Sequence, residues 1–238
     1  VYYATSFSSV TGGDSGELLA EACQLGTAHP PGYPLFTMLS HVLAFIPIPR
    51  IVINIQSATW EFDKLARRQI TRLFSRSRSG TLSTIGAFAY AFTPLVWEYS
   101  TTAEVFALNN FLCAVLSYLC CITFTLLARY VNREDEMLKS SVYFVSGLGG
   151  LFCGLALSNQ HSSVLLVAIL VPTILIAVGI YAHALLFPVF LYSAIWFLLG
   201  FSSYFYLPWA ANQPTPGSWG DLSSIPGFLR HILRAEYG

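Results

Sequence analysis

Residues 105–128 read VFALNNFLCAVLSYLCCITFTLLA, a run of 24 residues without a single Asp, Glu, Lys or Arg. An α-helix needs about 20 apolar residues to cross the hydrocarbon core of a bilayer, so this run is long enough. Its apolar residues are continuous instead of alternating, which argues against a membrane β-barrel. Lipid offers no hydrogen bonds to the backbone, and the segment therefore predicts a membrane-spanning helix.

Further apolar stretches lie on both sides of this run, and most of them approach the length of a membrane span. They cover about 33–48, 81–97, 142–157, 162–180 and 184–207. The first is bracketed by Pro34, Pro47 and Pro49, so an interfacial helix is an alternative to a full crossing there. We predict an all-α, polytopic helical membrane protein.

The composition of the 238-residue chain fits this class, since 55% of it is hydrophobic and only 10% is charged. Soluble domains carry about 25% charged residues. The net charge is zero, which makes nucleic acid an unexpected partner. Four of the five cysteines fall in apolar stretches, where a thiol acts as a small hydrophobe, and no spacing suggests a metal site. The ends at Val1 and Gly238 suggest a fragment that is incomplete on both sides.

Basic residues predict the orientation, because cytoplasmic loops of membrane proteins are enriched in lysine and arginine. Six of them cluster over 64–78, and three more follow the central run over 129–139. The predicted spans 81–97 and 105–128 separate the two clusters. Both clusters are therefore expected on the same, cytoplasmic side.

Parity assigns the remaining loops to the opposite side of the membrane. These are a first loop of about 11–33, the turn around Glu104, the turn at 159–161, and a tail of about 208–238. Seven of the twelve acidic residues lie in these segments. Polar groups that could perform chemistry are thus predicted to gather at one non-cytoplasmic face.

The first loop contains Gly12-Gly13-Asp14-Ser15-Gly16-Glu17, with two carboxylates three residues apart at the edge of the membrane. Ionisable groups are costly there and usually functional. One interpretation is a capping box, in which Asp14 or Ser15 caps a helix that begins near Glu17. The other is a paired-carboxylate site for acid–base chemistry.

Three other polar groups share that face, and each has a structural explanation beside a functional one. His29-Pro30-Pro31 is a stiff, extended entry into the next apolar segment. Glu104 lies beside a Ser/Thr-rich turn, where a helix-end acid would be ordinary. Asn159-Gln160-His161 places three hydrogen-bonding side chains together, which is more than a turn requires.

The tail combines aromatic and cationic residues. Trp219 precedes Gly220-Asp221, and tryptophan is common at membrane interfaces. Arg230 and Arg234 lie four apart, which predicts a single cationic helix face, with His231 adjacent. Such a face suits either a phosphate on a lipid carrier or ordinary lipid headgroups.

Five of these motifs occur in one order along the chain: Gly13–Glu17, Ala28–Pro34, Ala103–Asn110, Ser158–His161 and Trp219–Asp221. Together they resemble the GT-C type membrane glycosyltransferases. More closely, they resemble the transmembrane protein O-mannosyltransferases whose animal members modify IPT/TIG domains of plexins and related receptors. The closing segments at 227–229 and 231–238 are also similar to that family. The resemblance covers nearly the whole chain except about 55–79.

The resemblance implies a multi-pass enzyme of the endoplasmic reticulum membrane with a luminal active face. It would move mannose from dolichyl phosphate mannose to Ser or Thr hydroxyls of luminal or extracellular receptor domains. Membrane lipid, the dolichyl-linked donor and the acceptor domain are then its partners, with no further cofactor and no metal site expected. Metal dependence stays open.

The resemblance also assigns roles to residues. The essential acid of the first luminal loop falls on Asp14, with Glu17 beside it; a carboxylate accepts the proton of the acceptor hydroxyl. Donors and cations must hold the leaving phosphate. The substrate- and donor-binding candidates are His29, Glu104, Asn159, His161, Asp221, Arg230, His231 and Arg234.

Two alternatives belong to other functional classes. A polytopic transporter would place ionisable groups near mid-membrane in broken helices, whereas the acids here lie in loops. An inactive, degenerate membrane scaffold is the second. Its support is the polar stretch over 55–68, where family members carry an apolar span.

Overall fold

The computed structural model describes residues 9–45, 80–133 and 135–235, and every regular element within these ranges is a helix. The polar stretch over 55–68, the basic cluster at 64–78 and residues 236–238 lie outside the described residues. Ten α-helices occupy the described ranges: α1 Ser15–Gln24, α2 Pro34–Ala44, α3 Gly80–Ala91, α4 Pro94–Ser100, α5 Val105–Arg133, α6 Glu136–Asn159, α7 Val164–Tyr181, α8 Leu186–Phe201, α9 Tyr206–Ala210 and α10 Ile225–Ile232. Short 3₁₀ turns at 161–163, 183–185 and 202–205 join several of them.

Four helical segments among the described residues are long and apolar enough to cross a membrane. They are Val105–Arg133, Glu136–Asn159, His161–Tyr181 and His183–Ala210. The central run therefore forms a span, as its length predicts, and three of the other apolar stretches do the same. This confirms the prediction of an all-α, polytopic membrane protein.

The stretch 81–97, expected as a single span, is two helices in the structure, and that expectation was wrong. α3 ends at Ala91, and Thr93 takes an extended backbone (φ −61°, ψ 126°) before Pro94 starts α4. Proline lacks an N–H and disfavours helical backbone in the residue before it, so the helix cannot run through this point. The stretch 33–48 gives only the 11-residue α2, which is shorter than a span.

The chain divides into two compact units, 1–111 with 203–238, and 112–202. In the second unit, α6 and α8 approach each other through glycines. A side-chain carbon at Gly150 would overlap the carbonyl oxygen of Ser193, and one at Gly154 would overlap that of Phe197. Small residues allow this close approach between membrane helices. The hydroxyl of Ser193 also donates to the Ser146 carbonyl at 3.0 Å.

The described part of the first unit holds α1 to α4, the start of α5, and the chain from 203 onward with α9 and α10. Several of these segments carry fully buried apolar residues, among them Leu18, Phe36, Leu108 and Leu207, each about 1% exposed or less. Hydrogen bonds join the first loop to the turn before α5, from Asp14 to Glu104, and to the tail, from Tyr206 to Gly26. These contacts position the candidate site.

Candidate functional site

Helix α1 begins at Ser15, two residues earlier than the capping-box interpretation expects, and the box itself does not form. Asp14 occupies the N-cap position, but its side chain makes no capping hydrogen bond. In a capping box the Glu17 carboxylate would accept the Asp14 N–H. Here that N–H is donated to Glu104 Oε1 at 3.0 Å, and Glu17 binds His29 instead. Tertiary partners have replaced the local ones.

Glu104 is the buried carboxylate of the site, with 6% exposure. Besides the Asp14 N–H, its Oε1 accepts the hydroxyl of Ser15 at 3.4 Å. Gly13 makes room for this contact: its φ is +74°, and a side-chain carbon there would lie 2.9 Å from Oε1. Burial, and then the nearby Asp14 carboxylate, raise the pKa of Glu104 above its usual value.

Glu17 and His29 form a two-point contact across the first loop. Glu17 Oε1 accepts the backbone N–H of His29 at 2.6 Å, and Oε2 lies 3.0 Å from the ring Nδ1. The other ring nitrogen, Nε2, lies 3.1 Å from the Tyr33 hydroxyl and 3.6 Å from Asp14 Oδ2. A proton on Nδ1 is therefore held by Glu17, which turns Nε2 towards Tyr33 and Asp14.

The backbone of the loop between α1 and α2 turns back, so that the Tyr33 hydroxyl lies next to the His29 ring. Gly32 has φ +91° and Tyr33 φ +42°, both in the left-handed region. The Gly32 N–H donates to the His29 carbonyl at 2.8 Å, which closes the turn. Pro34 then starts α2 as its first residue, a position that proline favours.

Asp14 is the exposed carboxylate of the group. Its side chain is 58% exposed, whereas that of Glu17 is 28% exposed and that of His29 is 9% exposed. The hydrogen bonds of Glu17 and Glu104 occupy both of those carboxylates. Asp14 is thus the most accessible acid of the group.

A second contact holds the tail against α1. The Ser218 hydroxyl donates to Glu21 Oε2 at 3.1 Å and accepts the Thr27 N–H at 3.1 Å. Glu21 is 3% exposed, and desolvation by burial raises its pKa. The Tyr206 hydroxyl donates to the Gly26 carbonyl at 2.7 Å. This group fixes the segment that leads from α1 to His29.

The same contact brings Trp219 to the site. The backbone N–H of Trp219 donates to the Thr27 carbonyl at 2.9 Å. The Trp219 ring contacts the His29 ring edge to face, with 6.5 Å between centroids. Trp219 is still 42% exposed. An accessible aromatic ring therefore borders the imidazole.

The remaining tail candidates differ from the sequence-based picture. Asp221 is exposed and accepts the N–H and hydroxyl of Ser223, which lower its pKa. His231 is fully buried, so a role on the exposed cationic face does not fit. Arg234 lies beyond the end of α10 with φ +60°, while Arg230 is exposed within it. The expected single helix face carrying both arginines was wrong, because α10 ends at Ile232.

Asn159 and His161 belong to the second unit, whereas the cluster around Asp14 belongs to the first. Asn159 is the buried last residue of α6, and His161 opens the 3₁₀ turn that leads into α7. The Ser163 hydroxyl closes that turn on the Gln160 carbonyl at 2.8 Å. In the described part of the chain, no group of three His, Cys, Asp or Glu residues is placed to hold a metal ion.

Four residues of this arrangement are absent from the sequence-based candidates: Glu21, Tyr33, Ser218 and Trp219. Glu21 follows Glu17 by four residues, and that spacing could have placed both acids on one face of α1. Tyr33 has the same spacing from His29. No local pattern connects Ser218 to Glu21, which lies 197 residues away in sequence.

Comparison with known proteins identifies relatives over the whole chain. Residues 14–183 match the family described as Protein O-mannosyl-transferase TMEM260 N-terminal domain. The mouse protein named Protein O-mannosyl-transferase TMEM260 is 32% identical over all of this chain and 33% of its own length. The Dictyostelium discoideum protein named Protein O-mannosyl-transferase tmem260 is also 32% identical, over all of this chain and 29% of its own length.

The chain spans about a third of the length of these curated relatives. No solved structure gives a significant match to it. The family match extends from the exposed acid Asp14 through α7, and thus includes the three acids and the histidine of the first-unit cluster. The chain belongs to the TMEM260 N-terminal domain family of protein O-mannosyl-transferases.

Proposed function

We propose that this chain carries the acidic centre of a protein O-mannosyltransferase that uses dolichyl phosphate mannose as donor. The acceptor is a Ser or Thr hydroxyl on a luminal or extracellular receptor domain. One observation carries the proposal: Asp14 presents an exposed carboxylate, while Glu17 and Glu104 are engaged in hydrogen bonds around it. The family and the names of the relatives support the class of reaction.

In the proposed reaction Asp14 acts as general base. It accepts the proton of the acceptor hydroxyl as the oxygen forms its bond to the anomeric carbon of the mannose. The bond from that carbon to the phosphate oxygen breaks, and the lipid phosphate leaves with the electron pair. A positioned base of this kind contributes about 10²–10⁴ in rate.

The other groups of the cluster act by positioning Asp14. Glu104 holds the Asp14 N–H at 3.0 Å and so fixes where the loop presents its acid. Glu17 holds His29 at two points, which keeps Nε2 at 3.6 Å from Asp14 Oδ2. Small errors in such placement are expensive in rate.

The leaving phosphate requires a cation or hydrogen-bond donors. Arg230 and Arg234 are the candidates, because both are exposed in the same unit as Asp14. Asn159, His161 and Asp221 are further candidates for substrate contacts.

We place the site at the luminal face of the endoplasmic reticulum membrane. Each of the four spans reverses the side of the chain, so Glu104, the turn after Asn159 and the tail after Ala210 share one side. Arg129, Arg133 and Lys139 lie at the other ends of the first two spans. By the positive-inside rule that other side is cytoplasmic.

The test is transfer of labelled mannose in microsomes, using a chimera in which this chain replaces the matching third of the mouse relative. Asp14→Asn should lower the rate by about 10²-fold or more and leave expression unchanged, since Asn keeps the size but cannot accept the proton. The matched control is Asp135→Asn. Asp135 caps α6 by accepting the Met137 N–H at 2.9 Å, and Asn caps helices equally well.

Two outcomes contradict the proposal at different levels. An Asp14→Asn chimera with more than about a tenth of the original rate would remove Asp14 as base and make Glu17 or Glu104 the candidate. A chimera that inserts into the membrane but transfers no mannose even with Asp14 intact would favour the scaffold alternative.

A further inference from the structure

Helix α10 has two faces of different character. Ile225, Leu229 and Leu233 follow one another at intervals of four residues and are 76%, 50% and 73% exposed. Residues four apart share one side of a helix, and Leu233, the C-cap of α10, still donates its N–H to the Leu229 carbonyl at 2.9 Å. The three side chains therefore form a continuous apolar ridge. On the other side His231 is fully buried. The ridge is therefore presented outward by a helix that is anchored through its opposite face.

The buried face of α10, at His231, packs near the end of a membrane span. A side-chain carbon added at Gly32 would lie 2.9 Å from Leu207 Cδ2 and 3.2 Å from His231 Nε2, so all three residues meet. Leu207 is in α9, the last turns of the span His183–Ala210. α10 is thus attached where the chain leaves the bilayer.

Two exposed aromatic residues independently indicate that this end of the span lies at the membrane–water boundary. Phe205 and Trp209 lie four residues apart at the end of the span and are 74% and 59% exposed. Exposed tryptophan and other aromatic rings at the ends of a span are characteristic of the membrane–water boundary. The apolar ridge of α10 therefore belongs to a segment held at the depth of the lipid headgroups.

The charge of α10 fits a lipid surface. Its sequence IPGFLRHI contains no acid, and Arg230 is exposed directly after Leu229 of the ridge. An arginine can bury its aliphatic stem along an apolar surface while its guanidinium reaches a phosphate. An apolar ridge edged by a cation is the pattern of helices that lie in the membrane interface.

We propose that α10 is an interfacial helix, with Ile225, Leu229 and Leu233 inserted at the boundary of headgroups and acyl chains and Arg230 at the lipid phosphates. The occupant of the ridge is a phospholipid bilayer surface. This inference does not depend on mannose transfer, because it rests on exposure, spacing and the contact with Leu207, although it shares Arg230 with the proposed donor site.

The test measures the depth of α10 in proteoliposomes. In the full chain with its native cysteines replaced by serine, a single cysteine is introduced by Leu229→Cys and labelled with an environment-sensitive fluorophore. The aqueous control is Ser223→Cys, an exposed polar position just before the helix, and the lipid control is Leu198→Cys, 64% exposed on α8. Lipids carrying a nitroxide at a shallow position serve as quenchers.

The label at Leu229 should emit at shorter wavelength than that at Ser223 and be quenched several-fold more by the shallow nitroxide. The label at Leu198 should respond to a nitroxide deep in the acyl chain and so report a folded, inserted protein. Arg230→Gln should weaken quenching at Leu229 in anionic vesicles more than in neutral ones. Emission at Leu229 like that at Ser223 would overturn the proposal, and so would a blue-shifted label that no lipid quenches, which would indicate a covering protein surface.

Discussion

Glu104 holds the backbone of Asp14 from a buried position, and this combination has an energetic consequence. Its carboxylate accepts the Asp14 N–H and the Ser15 hydroxyl, yet burial and the Asp14 charge oppose its ionised form. A buried charge is tolerated when hydrogen bonds compensate for lost hydration. At the scale of single residues, the site thus combines a buried, hydrogen-bonded acid, Glu104, with an exposed one, Asp14.

The raised pKa of Glu104 predicts a pH dependence of stability. A folded-state pKa above the unfolded one means a contribution that is complete below the usual value of 4.5 and is lost as pH rises through the folded pKa. Glu104→Gln cannot ionise and should remove this dependence while keeping an acceptor for the Asp14 N–H. Thermal unfolding from about pH 4 upward should show the original protein losing stability relative to the variant.

Glu104→Ala provides the contrasting substitution, since it leaves the Asp14 N–H without that acceptor. Relative to Glu104→Gln, its cost should be about 1–3 kcal/mol at every pH, since neither variant can ionise at this position. Parallel pH profiles for the original protein and Glu104→Gln would contradict the assignment of the shift to burial of this carboxylate.

Gly13 should be sensitive to substitution in a way that Gly12 is not. Gly13→Ala puts a side-chain carbon 2.9 Å from Glu104 Oε1 at a φ of +74°, whereas nothing lies within 4 Å of the equivalent position at Gly12. We expect Gly13→Ala to cost about 1 kcal/mol or more and to lower mannose transfer by displacing Asp14. Transfer rate and thermal unfolding measure the effect, with Gly12→Ala as control. Equal behaviour of the two variants would show that the loop adapts.

At the scale of helices, α6 and α8 depend on glycine for their close approach. Gly150→Ala would overlap the carbonyl oxygen of Ser193, a rigid backbone atom, so the helices must move apart. Overpacking of this kind costs about 1–3 kcal/mol. Gly149→Ala on the next position of the same helix meets nothing within 4 Å. Thermal unfolding in detergent should separate the two variants, and a stable Gly150→Ala protein would contradict the tight crossing.

Helix α1 serves the site through both of its ends. At its start, the N-cap residue Asp14 bonds to Glu104 and Glu17 bonds to His29. In its last turn, Glu21 bonds to Ser218 of the tail. These bonds join segments that are far apart in sequence. The helix is short, so the tail and the turn before α5 together fix its position.

At the scale of the whole molecule, the four spans predict the sides of the loops. Glycosylation tags inserted beside Gly12, after Gln160 and after Asn212 should be modified in microsomes. Span parity puts the last two on the proposed luminal side with Glu104, and the hydrogen bond from Asp14 to Glu104 keeps Gly12 on that side. A tag after Arg133 should remain unmodified on the cytoplasmic side. The measurement is the gel shift that endoglycosidase removes. A modified tag after Arg133 would overturn the orientation.

The class of fold and part of the site could be predicted from the sequence, whereas two features of the helices could not. Apolar length is a local property, so spans such as 105–128 follow from composition. The break at Thr93 was missed because the apolar stretch continues through Pro94, although proline itself signals it. The four-residue spacing of Arg230 and Arg234 predicted that both lie on one helix face, but α10 ends at Ile232, before Arg234.

Asp14, Glu17, His29 and Glu104 were singled out from sequence, and the structure brings them together. The sequence could not assign which acid is exposed and which acids are engaged in hydrogen bonds. Taken alone, Gly12–Glu17 also fits a capping box, since Asp14 and Glu17 have the right spacing for it.

The sequence by itself determined a helical membrane protein with acids at the edge of its spans, because hydropathy and residue spacing act over a few turns of chain. Only the tertiary structure decided their roles. The contact of Asp14 with Glu104 spans 90 residues, and it takes the N–H that a capping Glu17 would have bound. A buried acceptor held by the fold replaces the local one, so Glu17 turns to His29 and Asp14 is left exposed.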